Sequence, residues 1–113
     1  MPYICANVTK KMNLQEKESL KSAIGKIITA LNKSEAHLMI DIEDGKTLFF
    51  KGLLQDNCAY IDVRVYGKCQ QSAKEAFTKA VFEVFKEQLS IDRENLFLSI
   101  LEYDSWGMNG GLI

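Results

Sequence analysis

Residue types that build metal and disulfide sites are scarce in this chain. Its 113 residues include one histidine and three cysteines, Cys5, Cys58 and Cys69. An odd number of cysteines at irregular spacing does not form a disulfide framework, and it suits a reducing compartment. Three separated cysteines and one histidine also fail to supply the ligand pattern of a zinc site. The sequence therefore predicts neither a structural disulfide nor a bound metal.

Excess charge and long apolar runs are lacking as well. Fourteen Lys and Arg residues against fifteen Asp and Glu residues give a net charge of −1. That balance predicts no basic surface for nucleic acid or anionic lipid. No apolar run approaches the roughly 20 residues of a membrane-spanning helix. Residues 1–12 lack the basic and then apolar segments of a signal peptide, so we expect a cytoplasmic protein that binds neither nucleic acid nor membrane.

Two segments carry apolar residues at helical spacing, which is typical of helices that lay one face on a flat surface. The first stripe consists of Leu20, Ala23, Ile24, Ile27, Ile28 and Leu31. The second consists of Ala73, Ala76, Phe77, Ala80, Val81, Val84 and Phe85. A capping-box pattern precedes each stripe, formed by Asn13 with Glu16 and by Ser72 with Glu75.

Alternating apolar and polar residues predict strands at residues 37–43, 60–66 and 96–101, and a further strand is predicted at 3–8. The element order is therefore strand, helix, strand, repeated once. The helices repeat as well, because Phe77 follows Leu20 by 57 positions (77 − 20) and Val81 follows Ile24 by the same interval.

These patterns predict an α+β fold of two pseudo-repeated βαβ units in a single domain, residues 1–113. Each crossover helix returns the chain to a parallel strand, so both helices are expected on one face of a four-stranded sheet. The opposite face would carry Met39, Tyr60, Tyr66, Phe97 and Leu101. A face this apolar is expected to be covered by a partner subunit or a second sheet.

Five short motifs give the chain a resemblance to a known family. They are Met1-Pro2, Lys33 after the first helix, Phe50-Lys51-Gly52, Tyr66-Gly67-Lys68 before the second helix, and Trp106-Gly107-Met108-Asn109-Gly110. In this order on a βαββαβ pattern, they resemble the macrophage migration inhibitory factor family over the whole chain. The resemblance implies the tautomerase fold assembled as a homotrimeric barrel, with active sites between subunits. It also implies a keto–enol tautomerase, an isomerase acting on phenylpyruvate- or dopachrome-like carboxylates without a cofactor.

The resemblance implies that Pro2 is the catalytic residue. Removal of Met1 would leave its nitrogen as a secondary amine. An α-amino group has an ordinary pKa of about 8, and burial or a nearby cation lowers it, so a neutral general base is expected at pH 7. The alternative is structural, a proline that starts a strand where its missing N–H costs little. If Met1 is retained, the nitrogen is an amide without basicity.

The implied substrate contacts are Lys33, Tyr66, Phe97, Ser99, His37 and Met108. Lys33 would lower the Pro2 pKa and hold a carboxylate or enolate oxygen, or it would only complement the end of the first helix. Tyr66 would offer its backbone N–H, or its ring would fill the sheet interface. Phe97 and Ser99, which replace a tyrosine and an asparagine found in relatives, would come from the neighbouring subunit.

The remaining positions leave alternatives open. His37 and Met108 match positions that shape the pocket, although a lone histidine at a strand start is also a common surface residue. The alternative for the carboxyl-terminal segment with Met108 is that it only packs on the next subunit. Glu35 stands where the family pattern has a proline, and we expect it to neutralise part of the Lys33 charge. The resemblance also allows a second function, a cytokine-like or host-modulating protein that is secreted by a non-classical route and binds a cell-surface receptor, with residual tautomerase activity.

Overall fold

The computed structural model describes residues 1–113. Its helices and strands are β1 Pro2–Val8, α1 Leu14–Ile27, β2 Met39–Glu43, β3 Phe49–Phe50, β4 Leu53–Leu54, β5 Ala59–Tyr66, α2 Gln71–Leu89, β6 Leu96–Tyr103, β7 Gly107–Met108 and β8 Gly111–Leu112. Short 3-10 turns lie at Ile28–Leu31, Glu35–His37 and Arg93–Asn95.

The main sheet has four strands in the order β2-β1-β5-β6. β1 pairs in parallel with β2, β5 pairs in parallel with β6, and the two central strands β1 and β5 are antiparallel. Each helix is thus the crossover of one βαβ unit, and the antiparallel centre relates the two units by a pseudo-twofold axis. This confirms the predicted α+β fold and its internal repeat.

The core lies between the helices and one face of the sheet. The helices contribute fully buried side chains from both predicted stripes: Leu20, Ile24, Ile28, Phe77, Val81 and Phe85. The central strands contribute alternate residues, which point to the same face of a sheet: Ile4, Ala6, Val8, Ile61, Val63 and Val65. Neither helix is long and apolar enough to cross a membrane.

The other face of the sheet is open in the single chain. Met39, Phe97 and Leu101 are each more than half exposed on it. The β3–β4 hairpin adds further exposed apolar side chains, Phe49, Leu53 and Leu54. The predicted apolar side chains therefore do lie on this face, together with the ion pair between Arg64 and Asp62.

One helix cap was predicted correctly and the other was not. Asn13 Oδ1 accepts the Glu16 N–H at 2.8 Å, and Glu16 Oε1 accepts the Asn13 N–H at 3.0 Å, which is a complete capping box. The prediction of a second box at Ser72 was wrong. α2 already begins at Gln71, and Gln70 is its N-cap without a side-chain hydrogen bond. Ser72 therefore lies inside the first turn, where its side chain cannot cap the helix.

Candidate active site

Pro2 is the buried first residue of β1, where it lies opposite Val65 of β5. The Met1 carbonyl oxygen, whose carbon is bonded to the Pro2 nitrogen, accepts the Tyr66 N–H at 3.2 Å. The last residue of β5 therefore donates a hydrogen bond within one peptide unit of the Pro2 nitrogen. A proline at this position removes no ladder hydrogen bond, because the first residue of a strand is where proline is tolerated.

Lys33 contacts the same residue, Tyr66, from the connection between α1 and β2. Asn32 adopts a left-handed conformation (φ 57°) and ends the helical segment after α1. The chain then turns so that Lys33 Nζ donates to the Tyr66 carbonyl oxygen at 3.0 Å. Tyr66 thus donates towards the amino terminus through its N–H and accepts Lys33 through its C=O. The structure brings together three of the predicted site residues: Pro2, Lys33 and Tyr66.

The electrostatics of this corner favour an uncharged amine. Burial lowers the pKa of the Met1 amino group below its ordinary value, and the Lys33 ammonium lowers it further. Cys69 acts in the opposite direction. A positive charge at this position is therefore disfavoured in the folded chain.

Lys33 has no carboxylate partner in the chain. The salt bridges of the structure join other pairs, and Glu35 takes part in none of them. The Glu35 side chain lies over Gly25 of α1, so closely that a Cβ atom there would stand 2.0 Å from Glu35 Oε2. Glu35 therefore forms no ion pair with Lys33, because its carboxylate lies against Gly25 of α1.

Phe97 lies towards the other end of the sheet from Pro2, and Ser99 lies near the middle, in register with Asp62 and through it with Cys5. Phe97 pairs in register with Tyr60, which pairs with Asn7, five residues along β1 from Pro2. At 3.4 Å per residue this separates Phe97 from the Pro2 level by roughly 17 Å along the strands. Within one chain, these two residues are not brought to the Pro2 corner.

Phe97 and Ser99 have neighbours that the sequence pattern did not reveal. The Phe50 ring of the β3–β4 hairpin packs edge-on against Phe97, with 4.7 Å between ring centroids. The Tyr60 hydroxyl and Ser99 Oγ lie 2.5 Å apart and share a hydrogen bond. Tyr60 was assigned only to the apolar face. Its pairing with Ser99 follows from parallel register, in which alternate residues of β5 and β6 share a face.

His37 and Met108 have peripheral positions. His37 is exposed in the 3-10 turn Glu35–His37, so the strand predicted from residue 37 begins instead at Met39. Met108 is half-buried in β7 of the carboxyl-terminal hairpin. Trp106, which precedes it, packs edge-on against Tyr103 at 5.9 Å. Tyr103 lies opposite Tyr66 in register, so this hairpin starts at the Pro2 end of the sheet.

Two residues of the corner were missed by sequence reasoning. Glu102 Oε2 accepts the Cys69 N–H at 2.6 Å, and the Tyr103 carbonyl oxygen accepts the Gly67 N–H at 2.8 Å. These bonds tie the loop after Tyr66 to the end of β6. The 57-residue repeat contained a signal for this contact, since Met12, which stands 57 positions before Cys69, donates its N–H to a carboxylate as well, that of Asp44. No group of three or more His, Cys, Asp and Glu side chains is arranged to hold a metal.

Known proteins resemble this chain over its full length. A family model described as macrophage migration inhibitory factor matches residues 1–112. A macrophage migration inhibitory factor homolog from Brugia malayi is 20% identical over 108 residues, which are 96% of this chain and 93% of that protein. The crystal structure of Leishmania major MIF2 matches with a TM-score of 0.92 at 23% identity, covering 100% of this chain and 97% of that one. Pt0534, solved after inactivation by 2-oxo-3-pentynoate, matches with a TM-score of 0.86 at 14% identity, covering 96% and 93%.

Proposed function

Because the chain belongs to the macrophage migration inhibitory factor family, we propose that it is a keto–enol tautomerase whose general base is the Pro2 nitrogen after Met1 is removed. The observation that carries this proposal is the meeting of Pro2, Lys33 and Tyr66. The Tyr66 nitrogen lies 3.2 Å from the carbonyl oxygen of Met1, in the peptide bond that joins Met1 to Pro2. Lys33 Nζ lies 3.0 Å from the Tyr66 carbonyl oxygen.

The Pro2 amine would act in its neutral form. Burial and the Lys33 ammonium, which lower the pKa of the Met1 amino group, would act in the same direction on an amine one residue further along. In enolisation, the nitrogen accepts a proton from the carbon next to the substrate carbonyl. The C–H electron pair becomes the C=C bond, and the carbonyl oxygen receives the proton. Ketonisation is the reverse, so no external oxidant or reductant is needed.

The substrate oxygens would be bound by donors that the fold holds in place. Removal of Met1 takes away the carbonyl that accepts the Tyr66 N–H. This donor is then available to the enolate oxygen, close to the base. Lys33 keeps two further N–H donors beyond its bond to Tyr66, because an ammonium group has three. A cation and a backbone amide next to the base suit a substrate whose charge develops on oxygen.

We propose an α-keto or enol carboxylate as the substrate class, of the phenylpyruvate or dopachrome type. Lys33, without a carboxylate partner, is the anion anchor for its carboxylate group. Inactivation of Pt0534 by 2-oxo-3-pentynoate, itself a 2-oxo carboxylate, supports this class.

The pocket would be completed by a second copy of the chain. Phe97 is five residues and Ser99 three residues along the strands from the level of Pro2, and each lies two strands away from β1, on the open face of the sheet. A homotrimer that covers this face would bring them to a neighbouring Pro2. We expect light scattering to give three times the chain mass at micromolar concentration. A stable monomer there would contradict the intersubunit pocket.

The test of the proposed base compares two forms of one protein. Protein with Met1 removed and protein with Met1 retained, prepared with aminopeptidase inhibited and checked by intact mass, are assayed for ketonisation of phenylpyruvate enol. We expect activity only in the processed form, because the retained residue turns the Pro2 nitrogen into an amide. Addition of 2-oxo-3-pentynoate should modify Pro2 in that form alone. Equal rates in the two forms would contradict the assignment of Pro2.

A further inference from the structure

The Glu102 carboxylate holds the loop between β5 and α2. Its Oε2 accepts the Cys69 N–H at 2.6 Å, and its Oε1 accepts Lys74 Nζ at 3.1 Å. The Cys69 N–H and then Lys74 lower the pKa of this carboxyl, with a smaller contribution from Lys68, so it is charged at neutral pH. We call this arrangement of a carboxylate, a loop amide and a helix lysine a carboxylate clamp.

Glu102 lies in the same cross-strand row as Pro2. It pairs in register with Val65, and Val65 pairs with Pro2. Two strand spacings therefore separate the two residues, or roughly 10 Å. The clamp therefore holds the loop between β5 and α2 at the same end of the sheet as Pro2.

Cys69 connects the clamp to the cation of the site. Its Sγ lies 4.0 Å from the carbonyl oxygen of Leu31, two residues before Lys33. Lys33 Nζ in turn donates to Tyr66 O, at the start of the same loop. The side chain of Cys69 is also close enough to the Met1 amino group to affect its pKa. Movement of Cys69 would therefore disturb both the cation and its acceptor.

The first half of the chain has the same clamp without a site beside it. Asp44 accepts the Met12 N–H at 2.8 Å and lies 3.0 Å from Lys17 Nζ. Both partners stand 57 positions before those of the Glu102 clamp (69 − 12 and 74 − 17). Asp44 directly follows β2, whose end pairs with the far end of β1 from Pro2. This clamp is an internal control for the purely structural effect of the contact.

We propose that Glu102 is a positioning residue of the tautomerase site: its carboxylate fixes Cys69, and the loop so held keeps Lys33 and Tyr66 in place beside Pro2. This inference rests on the proposed function for its catalytic meaning. Its geometric part concerns the surroundings of the Pro2 nitrogen alone. It therefore has a test that needs no substrate.

The chain contains a single proline, so ¹⁵N-proline labelling gives one resonance, that of Pro2. Its pKa is measured by NMR titration of processed protein carrying Glu102→Asp or Glu102→Gln. Glu102→Asp keeps the charge, but the shorter side chain no longer reaches the Cys69 N–H. The loop is then released and Lys33 moves away from the Pro2 nitrogen, so the Pro2 pKa should rise by about 0.5. Glu102→Gln keeps an acceptor oxygen for Cys69 and removes the charge, so the pKa should stay near that of the wild type. The pH–rate profile of ketonisation should shift in parallel.

The control variants are Asp44→Glu and Asp44→Asn, which alter the other clamp and should leave the Pro2 pKa unchanged. A role of Glu102 as a charge alone predicts the reverse pattern, with no change in Glu102→Asp and a lowered pKa in Glu102→Gln. That pattern, or equal shifts in the Asp44 variants, would overturn the proposal. If wild-type protein titrates as expected but does not ketonise the enol, the proposed function fails while the positioning role is still decided by the titration.

Discussion

The two βαβ halves share a backbone plan and differ at the Pro2 corner. At one end of the β1–β5 ladder, the Thr9 N–H donates to the Cys58 carbonyl at 3.2 Å. At the other end, the Tyr66 N–H donates to the Met1 carbonyl, also at 3.2 Å. The two bonds are equivalent under the 57-residue repeat, but only the second depends on a residue that carries the amino terminus. Under the proposed function, removal of Met1 would take away this repeated contact at the candidate site and at no other position.

A second departure from the repeat lies after the helices. Asn32 and Ser90 both end their helical segments in the left-handed conformation, with φ of 57° and 56°. The residue that follows is Lys33 in the first half and the fully buried Ile91 in the second. After the same turn, the Ile91 side chain packs in the core in the second half, whereas the Lys33 ammonium group donates to Tyr66 in the first half. Residues that break an internal symmetry are candidates for function, because packing alone is satisfied by the symmetric residue.

The largest expected effect comes from replacing Pro2, the proposed base. Pro2→Gly should lower kcat/KM for ketonisation of phenylpyruvate enol by at least about 100-fold, the lower limit for a general base. The matched control is Ala59→Gly, at the equivalent position in the second half, which should leave the rate within about twofold. Equal losses in both variants would show that the effect belongs to strand packing.

The next effect tests the departure at Lys33. Lys33→Ala should lower kcat/KM by roughly 10- to 100-fold, since a hydrogen bond to a charged group is lost. The ammonium lowers the pKa of the neighbouring amine, and the reaction needs the neutral amine. Without the ammonium the amine pKa rises, so the ascending limb of the pH–rate profile should move to higher pH.

The control for Lys33 is Lys26→Ala, because Lys26 is a cation in the last turn of α1 away from this contact. This variant should lose only helix-terminal stabilisation, about 0.3–1 kcal/mol or less at an exposed site. Unchanged kcat and KM in Lys33→Ala would reduce Lys33 to the same role, and the carboxylate of the substrate would need another anchor.

A smaller effect concerns acid stability, where the two clamps should behave alike. The folded chain lowers the pKa of both Asp44 and Glu102, so each carboxylate contributes stability above its ordinary pKa and loses it as the pH falls through the lowered value. Asp44→Asn and Glu102→Gln should each flatten the decrease of the thermal unfolding midpoint as the pH falls below about 4.5. The exposed Glu83→Gln should not change it. A flattening in one clamp variant only would contradict their structural equivalence.

The smallest expected effect lies at the far end of the sheet. Phe97→Tyr should lower KM for phenylpyruvate enol by about threefold, since one neutral hydrogen bond contributes about 1 kcal/mol or less. Tyr60→Phe, which removes the hydroxyl beside Ser99, should raise KM by a similar factor. An unchanged KM in both variants would contradict a role of this end of the sheet in binding the substrate of a neighbouring subunit.

Sequence patterns predicted the fold well because they follow from local geometry. Helical stripes and strand alternation depend only on the repeat of the backbone, and the 57-residue interval repeated both. The errors arose where side chains compete for contacts. Ser72 matched a capping pattern, yet the loop before α2 is held by Glu102, and the helix starts two residues earlier, with Gln70 as its N-cap. Glu35 is close to Lys33 in sequence, yet its carboxylate lies over Gly25.

The sequence by itself determined the helices and strands, their order and the 57-residue repeat, because the spacing of apolar residues depends only on their order in the chain. Its motifs indicated Pro2, Lys33 and Tyr66, although no spacing rule shows that residues 2, 33 and 66 meet. Only the tertiary structure decided that meeting, since the antiparallel pairing of β1 and β5 places Tyr66 beside the start of β1. It also decided that Glu102 shares a row with Pro2 while Phe97 does not. Register sets these distances, and it arises from the packing of both helices on one sheet.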